Sequence, residues 1–325
     1  MMRPLLWLSL LGWITLAQAD GADLTMLFVG DVMLDELPGK VVQQGGNPLA
    51  AFDDVFQRAD IRIGNLECVV STRGKAEDKP YVFRAHPRVT KLLKRYFSAV
   101  SLANNHSGDY GPEAFNDMLD HLGQRGVHYF GGGRDLRAAH RPYLTEVKGR
   151  RVAVLGYNEF FPRSFEALHD RAGVAWSDDD QVVHDIRRAR EVDKADIVIV
   201  YPHWGWEYEK LASARQQALA HRMIEAGADA VVGGHPHVTQ NIEVYRGKPI
   251  FYSLGNFVFN GFDDDDARTG WALELAFAGN GEIRWQVHVA RLDRQGVPRP
   301  AGVLELDRTA VVAGGAKQDD RRLKD

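Results

Sequence analysis

Histidine, asparagine and carboxylate side chains recur after short apolar runs in this sequence, and they are the side chains best suited to chemistry. They are Asp31, Asn65, Glu67, Asn105, His106, Asp109, His203, His235, His237 and Asn256. Carboxylate, carboxamide oxygen and neutral imidazole together favour Mn, Fe or Zn, because Ca²⁺ prefers oxygen ligands alone. The pattern therefore predicts a divalent-metal site.

Such groups on different strands can hold two ions, about 3.5–4 Å apart, that share one carboxylate. Two ions lower the pKa of a bridging water and clamp a tetrahedral anion on both sides. Each residue taken alone also has a structural explanation, since Asp31 and Asn105 are residue types common in turns. The His-Pro-His segment at 235–237 is harder to explain in that way, because it presents two imidazoles in a fixed relation.

The elements that must position these side chains are short apolar strands. The predicted strands are 24–29, 61–63, 99–102, 152–155, 197–201, 230–232 and 250–254. Most are continuous runs of Val, Ile and Leu, which is typical of strands covered on both faces. The carboxyl ends of strands border the ligand crevice in open α/β sheets, so we expect six strand ends to send their polar side chains to one rim.

Helical patterns alternate with these strands. One predicted helix begins at Pro112 and another covers about residues 212–226, and a glycine follows each of them. From Trp271 the pattern alternates over 271–277 and 283–292, which predicts antiparallel strands at the edge of the sheet. The sequence therefore predicts an α/β fold with a substantially parallel sheet.

The amino-terminal residues have the pattern of a secretory signal peptide. Arg3 precedes an apolar run over 5–16, and the small-residue triplet at 17–19 follows, which predicts cleavage after Ala19. The run is short for a membrane-spanning helix, which needs roughly 20 residues. We expect a signal peptide at 1–19, one domain over 20–312 and a flexible charged tail at 313–325, in a protein that is periplasmic or secreted.

The composition excludes several classes of protein. Of the 325 residues, 45% are hydrophobic and 26% are charged, which is typical of a folded chain. Lys and Arg number 40 against 44 Asp and Glu, which argues against a nucleic-acid binder that works by phosphate neutralisation. Cys68 is the only cysteine, so the chain has no internal disulfide.

Six motifs occur in an order that resembles the CapA family, the bacterial capsule synthesis or poly-γ-glutamate biosynthesis proteins. That family is similar in turn to the calcineurin-like metallophosphoesterases. The resemblance covers roughly residues 24–260 and implies an αββα sandwich of two mixed sheets flanked by helices. The motifs are Gly30-Asp31, Gly64-Asn65-Leu66-Glu67, Asn104-Asn105-His106 with Asp109, His203-Trp204-Gly205, Gly234-His235-Pro236-His237 and Gly255-Asn256.

The resemblance also implies roles for particular residues. The first ion would be bound by Asp31 and His237, the second by Asn105, His203 and His235, with Glu67 as the bridging ligand. His106, positioned by Asp109, would be a general acid or an electrostatic stabiliser. Met33 stands where the phosphoesterases have a histidine, and a thioether is a poor ligand for Mn or Mg. We therefore expect the first ion to be weakly held or absent.

Other side chains are predicted to support the site. Those assigned to substrate binding are Asn65, Arg84, Trp204, Glu207 and Asn256. Arg84 suits a substrate carboxylate or phosphate, although a surface arginine is an equal alternative. Glu207 suits a hydrogen bond to a ligand imidazole, and Trp204 either lines a substrate groove or packs.

Together these patterns predict a secreted, divalent-metal-dependent hydrolase that acts on a phosphoester or related bond at the cell envelope. One alternative is a non-hydrolytic accessory protein that binds or exports an anionic polymer such as poly-γ-glutamate, with a membrane synthase or export complex as its partner. Another is a metal-dependent γ-glutamyl amide hydrolase. Met33 and Asn65 favour the accessory protein, whereas His106 with Asp109 favours catalysis.

Overall fold

The computed structural model describes residues 23–161 and 163–304. The predicted signal peptide at 1–19 and the predicted tail at 313–325 lie outside these residues. The helices, numbered in chain order, are α1 Glu36–Gln43, α2 Asp53–Arg58, α3 Thr90–Tyr96, α4 Gly111–Arg125, α5 Leu136–Ala139, α6 Asp179–Glu191 and α7 Ala214–Ala226.

The strands are short, and most belong to one of two large sheets. They are β1 Leu24–Val32, β2 Ile61–Leu66, β3 Val69–Val70, β4 Arg84–Ala85, β5 Ala99–Ser101, β6 His128–Phe130, β7 Gly132–Gly133, β8 Tyr143–Val147, β9 Arg150–Asn158, β10 Gly173–Val174, β11 Ile197–His203, β12 Ala230–Val232, β13 Ile242–Tyr245, β14 Lys248–Phe251, β15 Asn256–Val258, β16 Thr269–Phe277, β17 Ile283–Leu292 and β18 Pro298–Leu304.

The first sheet has the order β18-β17-β16-β1-β2-β5-β6, and β15 pairs with the end of β1. Strands β1, β2, β5 and β6 are parallel, whereas β16, β17 and β18 join them as antiparallel strands. The second sheet has the order β13-β14-β12-β11-β9-β8. Its four central strands are parallel, and β8 and β13 are antiparallel strands at its two edges. Both sheets are therefore mixed.

Three apolar clusters separate the layers of the molecule. In β1, Met26 and Phe28 point to the cluster between the two sheets, while Leu27 and Val29 point to the cluster beneath α2, α3 and α4. Alternate side chains of a strand face opposite sides of its sheet, and this explains why both faces of β1 are apolar. The strand is buried on both faces, as its continuous hydrophobic run predicted.

The second sheet repeats the pattern. Ile197 and Ile199 of β11 point to the cluster between the sheets, and Val198 and Val200 point to the cluster beneath α6 and α7. The layers are therefore helices, first sheet, second sheet and helices. The αββα sandwich implied by the family resemblance is confirmed.

Two sequence predictions about the sheets need correction. The polar strand ends do not share one sheet, because β1, β2 and β5 belong to the first sheet and β11 and β12 to the second. The alternating segment 271–277 is not at an edge, since β16 lies between β1 and β17 and the edge strand is β18. Pairing between distant strands depends on which apolar faces pack together, and strand periodicity does not specify it.

Local signals set the helix ends. Gly126 follows α4 with φ of 69°, a left-handed conformation that favours glycine. Helix α7 begins after Ser213, which forms a capping box with Gln216, two residues later than the predicted start. Within 23–161 and 163–304, no helix combines the length and apolar character needed to cross a membrane.

Candidate metal centre

The polar ends of strands from both sheets meet in one buried cluster. The structure brings together the six residues predicted as metal ligands, which are Asp31, Glu67, Asn105, His203, His235 and His237. His203, at the end of β11, contacts side chains from the ends of β2 and β5, so the cluster spans the two sheets. The sandwich, and not one sheet, positions the site.

One part of the cluster, which we call the histidine half-site, consists of Glu67, Asn105, His203 and His235. The Nε2 atom of His203 lies 2.7 Å from Asn105 Oδ1, 3.1 Å from His235 Nδ1 and 3.6 Å from Glu67 Oε1. Donor atoms of Glu67, His203 and His235 lie within 4.8 Å of one another. Three kinds of side chain thus converge in the space that one cation would occupy.

The other part, the carboxylate half-site, consists of Asp31, Glu67 and His237. His237 Nδ1 lies 3.6 Å from Asp31 Oδ2, and His237 Nε2 lies 4.0 Å from Glu67 Oε1. Donor atoms of these three residues also lie within 4.8 Å of one another. Glu67 therefore belongs to both half-sites, which is the geometry of a bridging carboxylate.

The cluster contains buried polar atoms that no other described group satisfies. Glu67 Oε1 and His235 Nε2 have no hydrogen-bond partner within the described residues. A buried polar atom without a partner is costly, about 1–3 kcal/mol, and few occur in native proteins. Both atoms are metal-ligand types, so the residues present fit a divalent cation.

Burial also sets the protonation of the ligands. Desolvation, together with neighbouring histidines, lowers the pKa of His203 and of His235 well below the usual value, so both imidazoles are neutral and able to bind metal. Burial and the adjacent Asp31 carboxyl raise the pKa of Glu67 well above its usual value, and burial raises the pKa of Asp31. A cation between the two carboxyl groups would favour their ionised forms.

Asn65 lies inside the cluster. Its Nδ2 donates to Asp31 Oδ1 at 2.9 Å and to Glu67 Oε2 at 3.3 Å, and its Oδ1 accepts from Asn104 Nδ2 at 2.9 Å. No role was predicted for Asn104, although it stands directly before Asn105. Asn65 thus orients both carboxylates, while its predicted substrate contact stays a prediction.

His106 and Asp109 form a pair beside the cluster. His106 Nδ1 lies 2.8 Å from Asp109 Oδ2, which also accepts from the Phe83 amide at 2.7 Å. Lys79 Nζ lies 2.5 Å from Asp109 Oδ1 and donates to the Asn105 carbonyl at 2.9 Å. Burial lowers the pKa of His106, against the opposing effect of Asp109. Lys79 was missed because it comes from an irregular loop with no spacing signal.

The remaining substrate-binding predictions have different outcomes. Asn256 is buried with its Oδ1 2.9 Å from His237 Nδ1, so it orients the imidazole of His237. Arg84 donates to the carbonyls of Arg73 and Gly74, and its substrate contact stays a prediction.

The structure corrects the groove position considered for Trp204 and the imidazole hydrogen bond considered for Glu207, whose substrate contact stays a prediction. Trp204 is fully buried, donates to the Tyr252 carbonyl and belongs to the core beneath α6 and α7, so it packs and does not line a groove. Glu207 is exposed and makes no hydrogen bond to a ligand imidazole within the described residues, because the loop after β11 turns outward to solvent.

Met33 contributes no donor to the carboxylate half-site. It is buried in the cluster beneath α2, α3 and α4, and its Sδ accepts the Asp35 amide at 3.1 Å. The thioether is thus occupied by packing and by a local hydrogen bond.

The backbone that follows β12 has an unusual conformation, which brings the predicted ligands close together. His235 and His237 have φ of 100° and 58°, in a region that non-glycine residues seldom adopt. A Cβ added at Gly234 would lie 2.9 Å from Asp31 Oδ1, so only glycine permits this approach. Such strained positions persist where the surrounding structure imposes them, often at functional sites.

Comparisons with known proteins agree with the resemblance. Residues 25–261 match the family described as "Bacterial capsule synthesis protein PGA_cap". The chain is 36% identical over 243 residues to the "PGA biosynthesis protein CapA" of Bacillus subtilis, covering 73% of this chain and 63% of that protein. It is 35% identical over 225 residues to a "Probable polyglutamine synthesis accessory protein" of Mycobacterium tuberculosis, covering 66% of this chain and 58% of that protein.

The matched segment thus spans about three fifths of the length of these curated relatives. Among solved structures, the NAD nucleotidase of Haemophilus influenzae aligns with a TM-score of 0.49 at 11% identity, covering 86% of this chain and 60% of that one. The family match covers well over half of the sequence and includes all six predicted ligands. The chain belongs to the PGA_cap family of bacterial capsule synthesis proteins.

Proposed function

We propose that this protein is a divalent-metal-dependent hydrolase that acts on a phosphoester or related bond in the metabolism of a capsule or poly-γ-glutamate type polymer. The observation that carries the proposal is the pair of half-sites that share Glu67, with His106 and Asp109 beside them. Glu67 Oε1 and His235 Nε2 lie buried there with no hydrogen-bond partner among the described residues, which supports a cation between them.

The half-sites would hold two ions of Mn, Fe or Zn, with Glu67 between them. Bound ions of this kind supply an activated water and stabilise the negative charge that develops on the reacting group. Asn65 holds the Asp31 and Glu67 carboxylates at a fixed separation through its Nδ2. Asn256 fixes the orientation of His237.

His106 would pass a proton to the leaving group. Asp109 engages the Nδ1 of His106, so Nε2 is the nitrogen available for proton exchange. Burial lowers the pKa of His106, whereas its hydrogen bond with Asp109 opposes that shift and favours the protonated form that the role requires. Lys79 balances the buried Asp109 carboxylate and ties it to the turn that carries His106.

The first test is the metal content of the protein purified without chelator. We expect about two equivalents of Mn, Fe or Zn per chain, and we expect an Asn105→Ala/His235→Ala double variant to lose metal together with turnover of phosphoesters. His221→Ala, which changes a histidine that pairs with Glu243 outside the cluster, is the control. A folded wild-type protein without metal would overturn the proposal.

The proposal includes export. The signal-peptide pattern over 1–19 supports a mature protein that begins at Asp20 outside the cytoplasm. Amino-terminal sequencing of the protein recovered from the periplasm or the medium tests this expectation. An intact amino terminus in a cytoplasmic fraction would contradict it.

A second candidate is an accessory protein that binds poly-γ-glutamate without cleaving it. Met33 favours this candidate, because its sulfur supplies no ligand to the carboxylate half-site. Binding of poly-γ-glutamate without cleavage, and no action on any phosphoester, would decide for it. Release of glutamate from that polymer would instead identify the γ-glutamyl amide hydrolase.

A further inference from the structure

The aromatic side chains most exposed in the described residues all lie in loops next to the metal centre. They are Tyr81 at 72% exposure, Phe161 at 66%, Trp206 at 67% and Tyr208 at 54%. Large apolar side chains exposed singly are ordinary, but a group of aromatic rings around one site indicates a binding surface. We call these four residues the aromatic rim.

Two of the loops contact imidazoles of the site through a phenylalanine ring. Tyr81 stands two residues before Phe83, whose ring centroid lies 4.6 Å from that of His106. Phe161 follows Phe160, whose ring lies 4.1 Å from that of His235. These contacts place the loops that carry Tyr81 and Phe161 beside different histidines, and the Phe161 ring itself packs on Trp176.

The third loop follows His203 and carries Trp206 and Tyr208. The Tyr208 amide donates to the Pro236 carbonyl at 2.8 Å, between His235 and His237 in the chain. Tyr208 has φ of 65°, a left-handed conformation that a tyrosine adopts only when its surroundings impose it.

The Tyr208 ring is also linked to the site through a second ring. It lies 6.4 Å from the ring of Phe262, which in turn lies 5.2 Å from the ring of His237. Both backbone and side-chain contacts therefore fix the position of Tyr208 in the aromatic rim.

The charged side chains around the aromatic rim do not favour binding of a long polyanion. Lys79 is paired with Asp109, and the Arg84 guanidinium binds backbone carbonyls. Glu207 is exposed between Trp206 and Tyr208. In the exposed acidic run 263–266, Asp265 and Asp266 are paired with Arg291 and Lys210, which leaves Asp263 and Asp264 beside Phe262 without an ion pair among the described residues. A run of carboxylates laid across the rim would meet like charges.

We propose that the site binds a substrate with a single anionic group at the metal centre and a flat ring stacked on Trp206 and Tyr208. A nucleobase supplies a planar ring, and a hexose, although its chair is puckered, offers a broad face of C–H bonds, so either can stack on an aromatic side chain beside one ester. This inference rests on the proposed hydrolase function and names the class of its substrate. Stacking of one ring on an aromatic side chain is expected to strengthen binding about tenfold.

The test uses phosphonates, which bind without being cleaved. Binding of methylphosphonate, a C-glucosyl phosphonate and adenosine 5′-phosphonate to the metal-loaded protein is measured by calorimetry. At least one ring-bearing probe is expected to bind about tenfold more tightly than methylphosphonate, and the preferred probe identifies the ring. Trp206→Ala and Tyr208→Ala should each reduce this advantage, whereas Val192→Ala, an exposed apolar residue after α6, should keep it.

The outcomes separate this inference from the proposed function. Equal binding of all three phosphonates would overturn the ring subsite and leave the metal centre as an anion site. Binding of poly-γ-glutamate in place of every phosphonate would overturn both, in favour of the accessory protein. A ring advantage that survives in both alanine variants would also overturn the assignment to the rim.

Discussion

The two half-sites share Glu67 and differ in the rest of their donors. The histidine half-site adds two imidazoles and a carboxamide, whereas the carboxylate half-site adds one carboxylate and one imidazole. His203 Nε2 lies 2.7–3.6 Å from its three neighbours, while His237 lies 3.6 and 4.0 Å from its carboxylates. The histidine half-site is the more complete and the more compact.

The difference comes from the position of the Met33 side chain. Met33, two residues after Asp31, packs in the core and accepts the Asp35 amide, so the carboxylate half-site has one donor fewer than its neighbour. A nitrogen-rich site favours Zn or Fe, and an oxygen-rich one tolerates Mn or Mg. We therefore expect one tightly held ion and one weakly held ion, which can be tested by disturbing the shared ligand, each half-site, the pH and Met33.

The largest effect is expected from Glu67→Gln, which removes the charge that both half-sites share. Both ions should be lost, and hydrolysis should fall roughly 10³-fold, because metal ions contribute several kcal/mol and about 1.4 kcal/mol is a factor of ten. Metal analysis and phosphoester turnover measure this. Glu146→Gln, an exposed carboxylate on β8, is the control, and retention of one tight ion would show that Glu67 is not shared.

Changing one imidazole in each half-site should separate the two ions. His235→Ala is expected to release the tightly held ion, whereas His237→Ala should release only the weak one and lower activity less. Titration with Mn or Zn, followed by calorimetry, resolves the two affinities. Loss of the same ion in both variants would mean that the half-sites do not bind separately.

Acidification should empty the carboxylate half-site first. Burial raises the pKa of Asp31, which only the carboxylate half-site contains, so in the metal-free protein a proton occupies this carboxyl group at a higher pH than usual and competes with metal there. The raised pKa of the shared Glu67 weakens both half-sites as the pH falls. His203 and His235 have lowered pKa values and stay neutral to a lower pH. Metal content measured as the pH is lowered should show the weak ion leaving before the tight one, and release in the opposite order would contradict this.

The smallest effect is expected from Met33→Leu. The thioether supplies no ligand, so metal content should be unchanged, while stability falls by less than about 1.5 kcal/mol because the two side chains have similar volumes. Thermal unfolding and metal analysis measure the two quantities. Loss of an ion in this variant would show that the sulfur turns toward the site when metal is bound.

The hydrophobic pattern of a single strand was enough to predict its burial, but not its neighbours in the sheet. The run over 24–29 is apolar at every position except Thr25, which indicates burial on both faces, and the structure confirms it. Pairing of β1 with β16, far away in the chain, was not predictable, because it depends on which apolar faces meet when the chain folds.

The same limit applies to the site. Asn105 and His235 could be predicted because each follows a strand, and the carboxyl ends of parallel strands border the ligand crevice in α/β folds. The contacts of Lys79 with Asp109 and of Asn104 with Asn65 join segments that share no spacing, so nothing in the sequence indicates them. Trp204 illustrates a further limit, since its place beside a histidine fitted a groove wall as well as packing, and the structure places it in the core.

Residue identity and the apolar pattern of single strands were enough to predict which side chains could bind metal and that these side chains follow strands. Only the tertiary structure decided that Glu67 belongs to two half-sites and that Met33 belongs to none. The reason is physical. Whether a side chain faces the site or the core depends on the packing of two sheets and their helices, and that packing is a property of the whole fold.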